Sequence, residues 1–150
     1  MPFAEIPAAI QDTFRLDLTG KQVERLFQIS PDLIYIIDLD LRQMVFISNR
    51  VKDVLGYSHD DIRQMGGSLI STLVHADLNC FLEETYQKFL ALKEGESYEF
   101  IFEIRHKNGK ICVIRSRAIV IVQNEQGSNH LIRNVAEDIT GTLIHEMELQ

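Results

Sequence analysis

Histidine and cysteine side chains are the residues of this chain best suited to metal binding or nucleophilic chemistry, and their spacing favours neither. The five histidines are His59, His75, His106, His130 and His145. No two of them stand at i, i+4, and none has a carboxylate at a metal-ligand spacing, so we expect no metal site. The sequence contains no glycine-rich phosphate loop and no Gly-x-Ser-x-Gly turn. We therefore expect no independent catalytic site in this chain.

Composition and charge exclude several classes of protein. The 150 residues carry a net charge of −7, which argues against a nucleic-acid-binding surface because phosphate neutralisation needs a basic patch. No apolar stretch is long enough to span a bilayer, and the first residues lack the basic and apolar regions of a signal peptide. Two cysteines far apart in sequence indicate a reducing compartment. We expect one cytoplasmic domain with extensions.

Residues 1–29 are expected to form a helical extension. A capping box at Thr19 starts a helix that ends before Pro31, since the residue before a proline is pushed out of the helical region. The apolar stripe of this helix consists of Val23, Leu26 and Phe27. Two interpretations remain open. The stripe packs on the domain or belongs to a mobile arm, or it forms a dimer interface.

Two strands are expected next. Leu33–Asp38 is rich in β-branched and aromatic residues and is apolar on both faces, which predicts a central strand. After a turn, Met44–Ile47 returns as its partner.

Three helices are expected between the second and third strands. The first is capped by Ser48 or Asn49 and ends at Gly56, whose backbone can take the left-handed conformation. The second follows a capping box at Ser58. The third and longest runs over Ala76–Leu92, with apolar residues on one side and polar residues on the other.

The clearest local signal is a hairpin over Ser97–Val122 with Asn108-Gly109 in its turn. If Gly109 is the bulge residue of a three-residue loop, His106 pairs with Lys110 and the apolar side chains gather on one face. A two-residue turn would instead put arginines opposite phenylalanines, so the bulged register is favoured. The expected apolar face consists of Phe100, Phe102, Ile104, Cys112, Ile114, Ala118 and Val120.

A last strand is expected over Leu131–Ile139, followed by an exit helix over Thr140–Gln150. The order of elements predicts an α+β fold, with a five-stranded antiparallel sheet and helices packed on one face. An N-terminal helix and a C-terminal exit helix flank the sheet.

Taken together and in order, several short motifs between about Leu26 and Thr140 resemble a PAS domain. The motifs are Ser30-Pro31-Asp32-Leu33-Ile34, Asp38, Asn49, Gly56-Tyr57, Val74-His75-Ala76-Asp77, Lys107-Asn108-Gly109 and Asp138-Ile139-Thr140. Two positions depart from the family pattern: Ala76 replaces a Pro, and Leu41 stands where a Gly is frequent. The resemblance implies an N-terminal extension over 1–29, a PAS domain over 30–140 and the start of a linker helix over 141–150.

The resemblance also implies a function. PAS domains are sensory or regulatory modules that bind a small ligand or a partner and pass the change to an output domain, such as a histidine kinase or a diguanylate cyclase. Two alternatives remain open, a ligand-free dimerisation or scaffold module and a small α+β enzyme. A homodimer is expected, with output through Asp138, Ile139 and Thr140. The candidate ligand cavity is lined by Tyr35, Phe46, Leu69, Phe81, Phe102, Cys112 and Ile114.

Neither flavin nor haem is expected. The light-sensing PAS subclass bonds flavin through the Cys of an Asn-Cys-Arg-Phe-Leu-Gln run, but Asn79-Cys80-Phe81-Leu82 lacks the Arg and comes too late in the chain. Haem-binding members use a His on the long helix, and Asp77–Leu92 contains none. His145-Glu146 is similar to the phosphoacceptor pair of sensor kinases, but the residues after it depart from that motif, which favours a linker helix.

Overall fold

The computed structural model describes residues 25, 32–65 and 78–148 and, within the last range, the side chains of residues 83–147. Its elements are β1 (Leu33–Asp38), β2 (Gln43–Ile47), α1 (Arg50–Leu55), α2 (His59–Met65), α3 (Leu78–Ala91), β3 (Ser97–Arg105), β4 (Ile111–Gln123), β5 (Asn129–Asp138) and α4 (Thr140–Glu148). The predicted N-terminal helix lies outside the described residues. Among the described helices, none combines the length and the apolar character needed to cross a membrane.

The five strands form one antiparallel sheet in the order β2-β1-β5-β4-β3. The predicted α+β class with a five-stranded antiparallel sheet is confirmed. Strand β1 has the predicted bounds and lies between β2 and β5, as its apolar residues on both faces require. Strand β5 is the middle strand of the sheet, so its residues are placed to contact both halves.

The hairpin of β3 and β4 has the predicted bulged register. His106 N donates to Lys110 O at 2.8 Å, and Gly109 N donates to His106 O at 2.9 Å. Gly109 has a φ of 92°, which glycine adopts without the clash that a Cβ would cause. Phe102 lies opposite Ile114, so the apolar side chains share one face as expected.

The two faces of the sheet differ in what covers them. On the inner face, apolar residues of the strands pack against Val51 and Leu55 of α1, Ile62 of α2 and Phe89 of α3. The outer face has a smaller apolar cluster around Ile36. Beside that cluster, arginines and glutamates of β3, β4 and β5 form exposed ion pairs, which contribute only about 0–1 kcal/mol each.

The helix ends confirm two of the three predicted caps. Gly56 ends α1 in the left-handed conformation, with a φ of 83°. Ser58 and Asp61 exchange side-chain to backbone hydrogen bonds at 3.0 and 3.1 Å, which is the predicted capping box. Asn49 has helical backbone angles and makes no side-chain capping bond. The Ser48 hydroxyl accepts the N–H of Ile34 at 3.0 Å, so Ser48 joins the two strands instead of capping α1.

Strand β5 starts at Asn129, two residues before the predicted position, because Asn129 fastens the strand to the end of α3. Its side-chain amide donates to Phe89 O at 2.9 Å and to Leu92 O at 2.6 Å. These carbonyls lie at the C-terminal end of α3, where carbonyl groups run out of helical N–H partners; besides the Asn129 amide, Phe89 O accepts the N–H of Leu92 at 3.3 Å. The strand ends at Asp138, and Ile139 N donates to Val113 O of β4 at 2.9 Å.

Candidate functional site

Three polar side chains lie together on the otherwise apolar inner face of the sheet. Tyr35 of β1 stands directly opposite Asn134 of β5, and Ser116 lies on the neighbouring strand β4. Ser116 and Asn134 have no exposed surface, and Tyr35 is 9% exposed. We refer to Tyr35, Ser116 and Asn134 as the inner-face polar trio.

The hydrogen bonds of the trio run in one direction. Ser116 Oγ donates to Asn134 Oδ1 at 3.1 Å, which commits the single hydroxyl proton of Ser116. Tyr35 OH, at 2.8 Å from Ser116 Oγ, must therefore be the donor in that contact. Burial raises the pKa of Tyr35, so the phenol stays protonated and remains a donor.

One end of this chain of hydrogen bonds has no partner among the residues that the structure describes. Asn134 Nδ2 is buried, and within the described part of the chain no group accepts its protons. Leaving a buried polar group unpaired costs about 1–3 kcal/mol, so most such groups in folded proteins are paired. An acceptor beside Asn134 Nδ2 would remove that cost.

Four of the predicted cavity residues come together on the inner face, and one of them, Tyr35, belongs to the trio. Tyr35, Cys112 and Ile114 are members of one buried apolar cluster, and Phe102 packs against it. Burial raises the pKa of the Cys112 thiol, and the nearby Asp138 carboxylate adds to the effect, so this thiol is a packing group rather than a nucleophile. That these residues contact a ligand stays a prediction.

The remaining predicted cavity residues do not join them. Leu69 lies outside the described residues, as does the side chain of Phe81. Phe46 was wrongly assigned to the cavity: it pairs with Ile36 and packs in the outer-face cluster. Ile47, one residue further on, pairs with Tyr35 and takes the inner position. Both residues are apolar, so their type does not show which of them lies on the inner face. The strand register decides it, and the hydrogen bonds between Ser48 and Ile34 fix that register.

The predicted output residues form a compact junction between the sheet and α4. Thr140 N and Oγ1 both donate to Asp138 Oδ1, at 2.9 and 2.6 Å. Thr140 Oγ1 in turn accepts the N–H of Val113 at 2.7 Å. Together with the bond from Ile139 N to Val113 O, these contacts tie the start of α4 to β4. The role of this junction in signalling remains a prediction.

Sequence reasoning missed two of the three polar positions in the trio, although a signal existed. The favoured hairpin register already put Ile114 and Ala118 on the inner face, and Ser116 lies between them. Asn134 similarly alternates with Ile132 and Ala136, both buried on that face. A polar residue at an inward position of an apolar strand is the signal that could have identified both.

A second polar cluster joins residues that are far apart in sequence. His130 Nε2 lies 3.2 Å from Asp38 Oδ2 and 3.4 Å from Asp40 Oδ2. Spacing along the chain could not reveal this cluster, because it depends on the pairing of β1 with β5. We refer to Asp38, Asp40 and His130 as the turn cluster, since two of them begin the turn between β1 and β2.

Comparison with known proteins agrees with this architecture. The sequence profile described as PAS fold matches residues 44–136, which is more than half of the chain. The chain therefore belongs to the PAS fold family, as its motifs predicted. No curated protein shows a significant match to the sequence.

Solved structures with the same fold come from several signalling proteins. The PAS domain of an HTR-like protein from Haloarcula marismortui has 21% identity, covers 86% of this chain and 98% of its own, and has a TM-score of 0.61. The N-terminal domain of a diguanylate cyclase with PAS/PAC sensor from Marinobacter aquaeolei has 14% identity, coverages of 74% and 97%, and a TM-score of 0.58. A sensory box histidine kinase/response regulator from Burkholderia thailandensis has 18% identity, coverages of 79% and 84%, and a TM-score of 0.58. At these identities, the likeness concerns the fold.

Proposed function

We propose that this chain is a PAS sensory module in signal transduction, which binds a small molecule against its inner sheet face and passes the change to an output domain. The observation that carries the proposal is the fully buried Asn134 amide, whose Nδ2 lacks an acceptor among the described residues. A sheet face that only had to pack would be cheaper with an apolar residue at this position.

The surroundings of Asn134 define the chemistry of the proposed ligand. Apolar side chains of the inner face, including Ile114 and Phe102, would contact most of its surface. The free donor is an amide N–H, so the ligand would present a carbonyl, carboxylate or other acceptor to Asn134. A mostly apolar molecule with one such acceptor satisfies both requirements.

Mass spectrometry of the denatured protein tests this proposal directly. The purified wild-type chain is expected to release one defined small molecule in a near-stoichiometric amount. Asn134→Leu removes the donor at similar side-chain volume and should abolish retention while the chain stays folded. Glu137→Gln, on the outer face of the same strand, is the matched control and should retain the molecule.

Two outcomes would contradict this proposal, the first the binding of a ligand and the second the role of Asn134. Release of no molecule, together with no stabilisation by any compound in a thermal-shift screen, would favour the ligand-free scaffold. Retention by Asn134→Leu at the wild-type level would show that the amide does not hold the ligand. If Asn134→Leu fails to fold, Ser116→Ala interrupts the same chain of hydrogen bonds without adding volume. Loss of the molecule by this variant would support the proposal, and retention at the wild-type level would contradict it.

The proposed route to the output is short. Asn134 and Asp138 are four residues apart on β5, about 13 Å along an extended strand. Asp138 holds Thr140 at the first residue of α4, and Thr140 accepts a bond from β4. A displacement of β5 relative to β4 would therefore act on the start of α4. A ligand shifts this equilibrium only by its difference in affinity for the two arrangements.

We also propose a homodimer, formed by the N-terminal stripe of Val23, Leu26 and Phe27 together with α4. The support lies in α4, a helix of nine residues in which Ile144 is 52% and Met147 is 73% exposed. Helices this short are marginal in water, and pairing across a two-fold axis would cover their apolar residues. Changing the three N-terminal residues together to Glu should weaken the dimer in sedimentation experiments.

The control for the dimer is Leu41→Glu, which places the same acidic residue at an exposed apolar position in the β1–β2 turn. This control should sediment like the wild type. A wild-type chain that stays monomeric at high concentration would contradict the dimer, as would a triple variant that associates as tightly as the wild type.

The rest of the proposed role concerns the parent protein. We propose an extension over 1–29, a PAS domain over 30–140 and a linker over 141–150. We also propose a cytoplasmic location and an output domain of the histidine kinase or diguanylate cyclase kind. Two of the similar structures come from proteins with those names, and this supports the choice. Limited proteolysis should cut near residues 29 and 141 and leave a resistant core between them.

A further inference from the structure

The turn cluster brings one imidazole nitrogen and two carboxylates to a single point, away from the inner-face polar trio. Its three candidate ligand atoms lie within 4.8 Å of one another. His130 Nε2 is 3.2 Å from Asp38 Oδ2 and 3.4 Å from Asp40 Oδ2. A nitrogen that carries at most one proton cannot donate a linear hydrogen bond to both carboxylates, so at least one of the two contacts is not a hydrogen bond from His130 Nε2.

We propose that Asp38, Asp40 and His130 form a binding site for a divalent metal ion of the zinc class. In a tetrahedral zinc site with bonds of about 2.0–2.2 Å, neighbouring donor atoms are about 3.4 Å apart. Both measured contacts of His130 Nε2 match that separation. A donor set of one imidazole and two carboxylates suits zinc and similar transition ions, whereas calcium and magnesium favour oxygen ligands.

The three side chains are held in position by the fold rather than by the metal. Asp38 Oδ1 accepts the N–H groups of Asp40 and Leu41 at 2.9 and 3.0 Å, which orients the carboxylate and leaves Oδ2 directed at His130. The backbone carbonyl of His130 accepts Leu39 N at 2.8 Å. Next to it, Asn129 fastens β5 to the end of α3. Such preorganisation lowers the entropic cost of binding an ion.

The local charges favour a cation at this point. Asp38 and Asp40 bring two negative charges to one imidazole, and Arg42, which follows them in the same turn, pairs with other groups. The guanidinium of Arg42 lies 3.8 Å from the centre of the Tyr86 ring, and its ion pair, at 3.9 Å, is with Glu83. Asp38 is mostly buried and Asp40 is exposed, so an ion could enter from solvent and complete its coordination with water.

Calorimetric titration of the untagged chain with zinc tests the site. We expect one zinc ion per chain and little heat with magnesium or calcium. Asp40→Asn and His130→Gln should each weaken zinc binding about tenfold or more, since changing even an outer-shell partner often costs 10–100-fold. His145→Gln removes an exposed histidine of α4 and should bind zinc like the wild type. A thermal melt of each metal-free variant shows whether it is folded.

Imidazole NMR of the folded wild type gives a readout that needs no variant. Substoichiometric zinc should shift the ring signals of His130 and leave those of His145 unchanged. The proposal is overturned if zinc does not bind at micromolar concentrations, if His130→Gln binds it as tightly as the wild type, or if the His130 signals do not respond. In the first case, the cluster is only a histidine ion pair.

Discussion

Gly56 is the residue whose substitution tests the packing of the hairpin against the helices most directly. It ends α1 with a φ of 83°, and a Cβ at this position would lie 2.7 Å from His106 Cε1 and 3.1 Å from Lys107 Cβ. The tip of the hairpin is fixed there, because Lys107 N donates to Leu55 O at 2.9 Å. Tyr57 OH adds a bond to Arg105 O at 3.0 Å.

The expected cost of Gly56→Ala has two parts. An L-residue in the left-handed conformation costs about 1–2 kcal/mol. The new methyl group also displaces the His106 ring, which accepts the N–H of Asn108 at 3.1 Å, and a lost hydrogen bond costs about 0.5–1.5 kcal/mol. We therefore expect Gly56→Ala to lower the free energy of unfolding by about 1.5–3.5 kcal/mol.

Gly109→Ala is the matched control, because it shares the left-handed backbone without the crowding. Gly109 has a φ of 92°, and apart from its chain neighbours no heavy atom of the described residues lies within 4 Å of a Cβ added there. Gly109→Ala should therefore lower the free energy of unfolding only by the backbone cost of about 1–2 kcal/mol. Urea denaturation gives both values, and equal m-values would indicate that the variants unfold from equally compact states. In thermal melts, each kcal/mol corresponds to about 2–4 °C for a chain of this size.

A double-mutant cycle isolates the contact between Gly56 and His106. In the His106→Ala background, Gly56→Ala should cost only about as much as Gly109→Ala, since the ring that the methyl group displaces is gone. If Gly56→Ala is no more destabilising than Gly109→Ala in the wild-type background, the hairpin tip is not packed on α1 as described.

Three further predictions follow from other contacts. The purified chain should show neither the absorption bands of flavin nor a haem Soret band, and either spectrum would contradict the exclusion of these cofactors. The hydrogen bonds from the Lys107 ammonium and from Ser58 N hold the pKa of Asp61 below its ordinary 3.8. The ionised Asp61 carboxylate therefore stabilises the fold fully above pH 3.8, and this stabilisation is lost as the pH falls through the lower pKa of the folded state. Asp61→Asn should consequently flatten part of the acid limb of a stability–pH profile. Thr140→Val should destabilise the chain by about 1–3 kcal/mol by leaving Val113 N–H unpaired, whereas Thr140→Ser keeps the acceptor and should stay near the wild type.

The features that could be predicted from the sequence are those set by local chemistry. The hairpin register followed from residues within one turn, because only the bulged loop segregates apolar from charged side chains. The helix end at Gly56 and the Ser58–Asp61 capping box could likewise be predicted, since each depends only on residues close by in the sequence. These local signals, in their order, were also enough to indicate the family.

The features that could not be predicted depend on pairing between distant strands. Phe46 and Ile47 are equally apolar, and the hydrogen bonds between Ser48 and Ile34 decide which of the two faces inward. His130 meets Asp38 only because β1 pairs with β5, across most of the chain. No periodicity within a single segment carries that information, which is why the turn cluster was absent from the sequence prediction.

Strand β5 contributes a residue to the contact with α3, to the turn cluster, to the inner-face polar trio and to the junction with α4. From its start to its end it carries Asn129 on the last turn of α3, His130 in the turn cluster, Asn134 in the inner-face trio and Asp138 at the exit. As the middle strand, it is bonded on both sides, so a shift along it must change its pairing with β1, with β4 or with both. Ligand at Asn134 and metal at His130 would therefore act on the same element. If both proposals hold, the ligand should change the affinity of the chain for the metal ion, and the metal ion should change its affinity for the ligand. Linkage requires these two changes in affinity to be the same factor.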